Sequence, residues 1–209
     1  MPFSKQRSGR RRIDVDGSAP TPERSPIHQA CAAIGQSRLM RLYETLFQRH
    51  GLHVAQLLLS HQDIDSRTRY QNARNTLERL LRFGNVVPVI NENDSVAVEE
   101  LKFGDNDRLS AEVAILAQAD LLVILTSVEG LLDKQRKLIS KVTDIDAVFH
   151  LASNETGIHS TGGMITKLQA AKIALQSGIP SVIASGLEAG VLAATLAGKP
   201  VGTKFPASK

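Results

Sequence analysis

Four short runs, LHVAQLLL (52–59), VVPVI (86–90), LLVILT (121–126) and SVIA (181–184), constrain the fold more than anything else in the chain. Apolar residues stand at consecutive positions in each, so a strand built from it must be covered on both faces. Segments of helical period separate them: 27–50, with Ala30, Ala33, Ile34, Leu39, Leu42, Leu46 and Phe47 recurring; 66–83, ended by Gly84; 107–118; and 162–176. A further helix, 188–197, follows the last run, and Gly51 reads as the C-cap of the first helix. Doubly buried strands alternating with amphipathic helices predict an α/β fold, a three-layer α/β/α sandwich around a mainly parallel sheet. A chain of 209 residues has room for one such domain.

The formal charge of +4 sits mostly in residues 1–26, where six basic residues (Lys5, Arg7, Arg10, Arg11, Arg12, Arg24) meet three acids (Asp14, Asp16, Glu23). That segment has no sustained apolar period and reads as a disordered or non-homologous basic tail, with the domain proper at 27–206. The nearly neutral remainder, and an aromatic content of 4%, argue against a nucleic-acid-binding body. Cys31, the lone cysteine, excludes an internal disulfide and reads as a small core residue among Ala30, Ala32 and Ala33. No apolar run reaches the ~18–20 residues of a membrane helix, which predicts a soluble, cytoplasmic protein.

In open α/β sheets, ligands bind beyond the carboxyl ends of the strands. NEND (91–94) follows VVPVI and TSVEG (126–130) follows LLVIL, so both polar segments point to one edge. Asn91, Asn93, Asp94, Asp105, Asn106 and Asp107 gather there. One reading makes them turn formers and caps, Asp107 capping the helix RLSAEVAIL. The other makes them a ligand site that accepts hydrogen bonds from an ammonium ion, holds Mg2+ through water, or orients a lysine. STGGMITKLQAA (160–171) opens a helix with hydroxyls and two glycines, either an ordinary turn or a seat for an anion. Lys167 lies beside the stripe Met164, Leu168, Ala171 and Leu175, able to reach an anion at the helix mouth or to snorkel into solvent. The segment is not a Walker A loop. Thr126, Ser127 and Gly130 suit a loop over a nucleotide, Asp144 and Asp146 suit a helix start, and the six histidines show no metal-ligand spacing.

These residues resemble glutamate 5-kinase, within the amino-acid kinase superfamily. The stretches that carry the likeness are QACAAIGQSRLMRLYETLF, RYQNARNTLERLL, VVPVINENDSVAVEELKFGDNDRLSAEVA, DLLVILTSVEGL, TGGMITKLQAAKIA and GKPVGTKF, in order over about 27–205. The resemblance implies transfer of the γ-phosphoryl group of ATP, with Mg2+, to the side-chain carboxylate of L-glutamate, the first committed step towards proline. It implies that Asn91, Asp94 and Asn106 contact the amino acid and that Asp107 orients catalytic lysines. Thr126 and Ser127 would border the nucleotide, and Thr161, Gly162, Gly163, Met164, Ile165, Thr166 and Lys167 would hold its phosphates. Lys167 would stabilise charge on the transferred group, as phosphoryl transfer requires. No protein-held metal is expected; a homo-oligomer and feedback by proline are.

The family pattern also opens with a strand and a K-x-G-S-S loop, then a second strand ending in Ser-Ser-Gly-Ala, and neither stands in FSKQRSGRRR or DVDGSAP. Ser127 stands where the family usually has Asp, the loop between Leu131 and Leu138 is shorter than usual, and the expectation from the sequence is a domain without the C-terminal accessory domain of many members. The expectation is therefore a catalytic domain truncated or divergent at its N-terminus, impaired in turnover, with an uncovered sheet edge and apolar surface. The alternative is a non-catalytic homologue that binds nucleotide or amino acid, or serves as an assembly partner.

Overall fold

The computed structural model describes residues 26–96, 105–152 and 163–207. In chain order its elements are α1 (Pro26–Gln48), β1 (His53–Leu59), α2 (His61–Asp65), α3 (Arg67–Arg82), β2 (Val86–Glu92), α4 (Asp105–Leu116), β3 (Leu122–Thr126), a 3-10 turn (Asp146–Val148) running into α5 (Phe149–Ala152), α6 (Met164–Gln176), β4 (Ser181–Ser185), α7 (Val191–Leu196) and β5 (Thr203–Phe205). The α/β class and its parallel pairing agree with the sequence pattern. Among the described residues the strands form two sheets: β1 pairs parallel with β2, while β3 pairs parallel with β4 and β4 antiparallel with β5.

Helix α4 explains how two sheets share one fold. Leu109 and Leu116, seven residues apart, join Leu57, Leu59 and Leu77 in the core beneath β1 and β2. On the opposite face Ala111 and Ala114 enter the larger core with Ile124, Leu168, Ala171, Ile183 and Phe205. A helix apolar on two sides is buried on two sides, with small residues where it meets α6. Strand β4 is buried along its length, the fully covered strand that SVIA predicts.

Helix α1 corrects two expectations. Cys31 is exposed, not core, and so are Ala30, Ala33, Ile34, Leu39, Leu42 and Leu46. The helix turns Gln29, Ala32, Gln36, Met40, Tyr43 and Phe47 inward instead, a second stripe at helical spacing that the richer outer one obscures. Glu44 fixes its seat on β1, accepting the Val54 N–H at 3.0 Å and so occupying an edge amide. Gly51 (φ 72°) and Gly84 (φ 75°) end α1 and α3 in the left-handed conformation their sequence positions predict.

Helix α2 begins at Ser60, whose N–H (2.8 Å) and hydroxyl (2.6 Å) both donate to Asp63 Oδ2, while Arg69 donates to Oδ1 at 3.3 Å. Partial burial pushes the Asp63 carboxyl up, but the Ser60 and Arg69 hydrogen bonds outweigh it and hold the group below its ordinary 3.8. A depressed carboxylate contributes stability that is present above the unfolded value and lost as pH falls through the folded one. Asp63→Asn should therefore cost about 1 kcal/mol at pH 7, the worth of a cap. In urea unfolding the gap between the two proteins should close below pH ~4; a gap unchanged at pH 3 would refute the assignment.

Candidate active site

The amino termini of α4 and α6 converge, because the two helices pack along small residues. Asp107 lies in the first turn of α4, inside the helix rather than at its cap, and is free to bond elsewhere because the helix begins two residues earlier. Its Oδ2 accepts the Thr166 hydroxyl at 2.7 Å and Lys167 Nζ at 3.0 Å. The Thr166 hydroxyl also lies 2.8 Å from the carbonyl of Gly163, the N-cap of α6. Lys167 and Asp107 retain only 12% and 18% side-chain exposure, so the ammonium neither snorkels nor is left to water.

The electrostatics follow from the helix ends. A cation in the first turn of a helix opposes the dipole, by ~0.3–1 kcal/mol at exposed sites. Asp107 offsets this for Lys167, and the carboxylate is itself favoured at the positive end of α4. The arrangement holds Lys167 in one place at the mouth of α6, a 13-residue helix opened by Gly163. Such a mouth suits a phosphate. Met164 is buried beneath it and Ile165 faces outward.

Asn91 stands near the carboxyl end of β2, which runs through Asn91 and Glu92 rather than stopping at Ile90. Its Nδ2 donates to Gln36 Oε1 of α1 at 3.3 Å, and Gln36 Nε2 is buried without a partner among the described residues. A buried donor of this kind calls for a water or a ligand atom. The sequence reading missed Gln36; the available signal was its place between Ala32 and Met40 on the inner stripe of α1. Asp94 is half-buried in the turn after β2, and Asn106 is exposed in the first turn of α4, which packs on both β2 and β3. Thr126 ends β3, its carbonyl accepting the Gly186 N–H at 2.7 Å, and Ser127 follows it exposed. The structure thus joins Asp107, Thr166, Lys167 and Gly163 in one network and Asn91 with Gln36 in another. Thr161 and Gly162 lie outside the described residues.

The loop after β3 is tied by one long-range bond and several local ones. Leu131 N–H donates to Thr203 Oγ1 at 2.8 Å, Leu132 bridges Leu138, and Asp133 accepts the N–H groups of Gln135 and Lys137. No group of three or more His, Cys, Asp or Glu side chains fit to hold a metal occurs among the described residues.

Parallel strands carrying a polar edge, with a lysine held at a helix mouth, define an α/β domain with a charged, part-buried site at its strand ends. The Amino acid kinase family model matches residues 6–185, and the chain belongs to that family. It is 49% identical over 205 residues to glutamate 5-kinase of Geobacter metallireducens, covering 95% of this chain and 54% of that protein. To glutamate 5-kinase of Myxococcus xanthus it is 51% identical over 191 residues, covering 88% and 50%. The chain spans about half the length of these curated relatives. Among solved structures, N-acetylglutamate synthase of Neisseria gonorrhoeae with coenzyme A and L-arginine shares the fold, with a TM-score of 0.51 at 22% identity over 64% of this chain and 30% of that one.

Proposed function

We propose that this chain phosphorylates the side-chain carboxylate of L-glutamate with ATP and Mg2+, making L-glutamyl 5-phosphate for proline biosynthesis in the cytoplasm. The observation that carries the reading is the Asp107–Thr166–Lys167 network at the mouth of α6, in a chain about half identical to glutamate 5-kinases. In this reading residues 27–206 form the kinase domain. Asn91, Asp94 and Asn106 hold the amino acid, while Thr126 and Ser127 border the nucleotide. Residues 161–167 receive the phosphates, and Lys167 faces the transferred group.

The donor set fits that chemistry. The nucleotide supplies the phosphoryl group, and a carboxylate nucleophile needs no strong base, so Asp107 serves as organiser. Lys167, fixed by Asp107, meets charge developing on phosphoryl oxygens without reorganising at the moment of reaction. Mg2+ in such sites keeps several waters and binds mainly through substrate phosphates, which suits a site whose acids hold a lysine. In this reading the part-buried Gln36–Asn91 pair presents side-chain amides to the amino acid at the carboxyl end of β2. Homo-oligomer formation and feedback by proline belong to the same proposal.

Incubating the purified chain with glutamate, ATP and Mg2+ and trapping the product with hydroxylamine should give a coloured hydroxamate that depends on all three. Saturable ATP binding with no hydroxamate would instead favour the non-catalytic homologue.

A further inference from the structure

Gln36 is a polar residue where helical spacing calls for an apolar one. It stands between Ala32 and Met40 on the inner stripe of α1, the helix that packs on β1. A buried amide costs free energy unless its groups are paired, and a methionine would fill the same place without that cost. Asn91 satisfies one half of the amide, its Nδ2 donating to Gln36 Oε1 at 3.3 Å. The other half, Nε2, is buried with no partner among the described residues. The Asn93 N–H donates to the Leu59 carbonyl at 2.9 Å and closes the chain just beyond Asn91. The orphaned donor therefore lies at the carboxyl edge of β1 and β2, where parallel sheets bind their ligands.

We propose that Gln36 is a specificity-determining residue that recognises the α-carboxylate of the amino-acid substrate through Nε2. The assignment rests on the glutamate kinase reading and divides the substrate between the two hydrogen-bond networks. The γ-carboxylate, which takes the phosphoryl group, faces Lys167, and the α-amino-acid end faces Gln36 and Asn91. A carboxylate oxygen is the acceptor that Nε2 lacks, and a hydrogen bond to an ionised acceptor is stronger than one to a neutral group. The same pair sets a second contact. With its Nδ2 engaged by Gln36 Oε1, the Asn91 carboxamide turns Oδ1 away from Gln36, to accept from the α-ammonium. Gln36 thus acts directly on one charged group and, through Asn91, on the other. A ligand that carries only one of them leaves a buried donor or acceptor unmatched and is discriminated against.

Gln36→Glu tests the donor alone, because it keeps the side-chain length and an acceptor for Asn91 Nδ2 but puts an oxygen where Nε2 stands. The probes are L-glutamate and 4-aminobutyrate, which has the ammonium and the γ-carboxylate but no α-carboxylate. Ligand-observed NMR titration reads their binding without turnover. Wild type should bind L-glutamate about 10–100-fold more tightly than 4-aminobutyrate, the usual worth of a hydrogen bond to a charged group. Gln36→Glu should lose that much affinity for L-glutamate and bind 4-aminobutyrate no more weakly than wild type, so the preference disappears. A merely structural role would weaken both ligands alike. Gln36→Met, apolar and compatible with the helix, removes both bonds and should weaken both ligands, L-glutamate the more. Equal losses for the two ligands in both variants, unchanged L-glutamate affinity in Gln36→Glu, or a wild type that binds no L-glutamate would overturn the proposal. Loss of the preference in Gln36→Glu without any hydroxamate from wild type would defeat the kinase reading and leave this role standing. Hydroxamate formed by wild type and Gln36→Glu with the same dependence on glutamate would do the reverse.

Discussion

Lys167→Ala should lower hydroxamate formation about 10²–10³-fold at saturating glutamate and ATP, the usual loss on removing one preorganised donor to developing charge. The size follows from how the lysine is held. Lys167 Nζ is 3.0 Å from Asp107 and mostly buried, so it is already placed before substrate arrives. A solvent lysine would lose part of its effect to reorganisation and screening. The protein should stay folded, because Asp107 keeps the Thr166 hydroxyl and the positive end of α4. Thermal melting checks that. Asp107→Asn should reduce the rate in the same direction but less, since the amide oxygen still accepts a hydrogen bond from Lys167. A Lys167→Ala rate within threefold of the parent, with the fold intact, would remove the lysine from the reaction.

Much of this network was visible along the chain, but only as parts. Gly-Gly before a helical run marks the start of α6, and FGDND marks the start of α4, yet Asp107 and Lys167 are 60 residues apart. Periodicity carries no information about which helix ends meet. The small residues Ala111 and Ala114 do hint at close packing, and the contact of α4 with α6 uses them. Of the two readings of Asp107, the simple helix cap does not describe it, because the helix starts two residues earlier and leaves the side chain inside the first turn.

Elsewhere the sequence misled for a definable reason. Helix α1 is apolar on two sides, and its Ile and Leu side chains lie on the exposed one while two glutamines dilute the inner one, so counting aliphatic residues selects the wrong face. The inner stripe includes Gln29 and Gln36, polar residues that weaken its apolar signal, and Gln36 meets Asn91 of β2. Strand β5 went unread because three residues are too few for an alternation, and an antiparallel edge strand on β4 is set by the turn before it. The division of the pairing between two sheets likewise depends on α4 being buried on both sides, a property of packing rather than of any strand run.

That turn carries the second large effect. Gly202→Ala should destabilise the fold by about 3 kcal/mol, from a left-handed backbone and an overpacked contact acting together. Gly202 has φ 63°, and a Cβ there would lie 2.2 Å from the Ile183 carbonyl oxygen and 2.7 Å from Ala184 Cβ. Neither neighbour can yield, since Ile183 and Ala184 lie in the middle of β4, buried and paired with β3 on the other side. Gly178→Ala isolates the conformational share, because Gly178 has φ 78° and nothing within 4 Å of the added carbon. It should cost about 1 kcal/mol, while Gly202→Ala lowers Tm by roughly 10 °C. The two melts, followed by circular dichroism, should therefore separate clearly. Equal shifts would mean that the close approach to β4 contributes nothing. The loss should spread to the loop after β3, because Thr203 accepts the Leu131 N–H and Gly130 leaves only 2.7 Å between an added Cβ and Thr203 Oγ1. Faster amide exchange at Leu131 in Gly202→Ala would show that GKPVGTKF holds the loop after β3 in place.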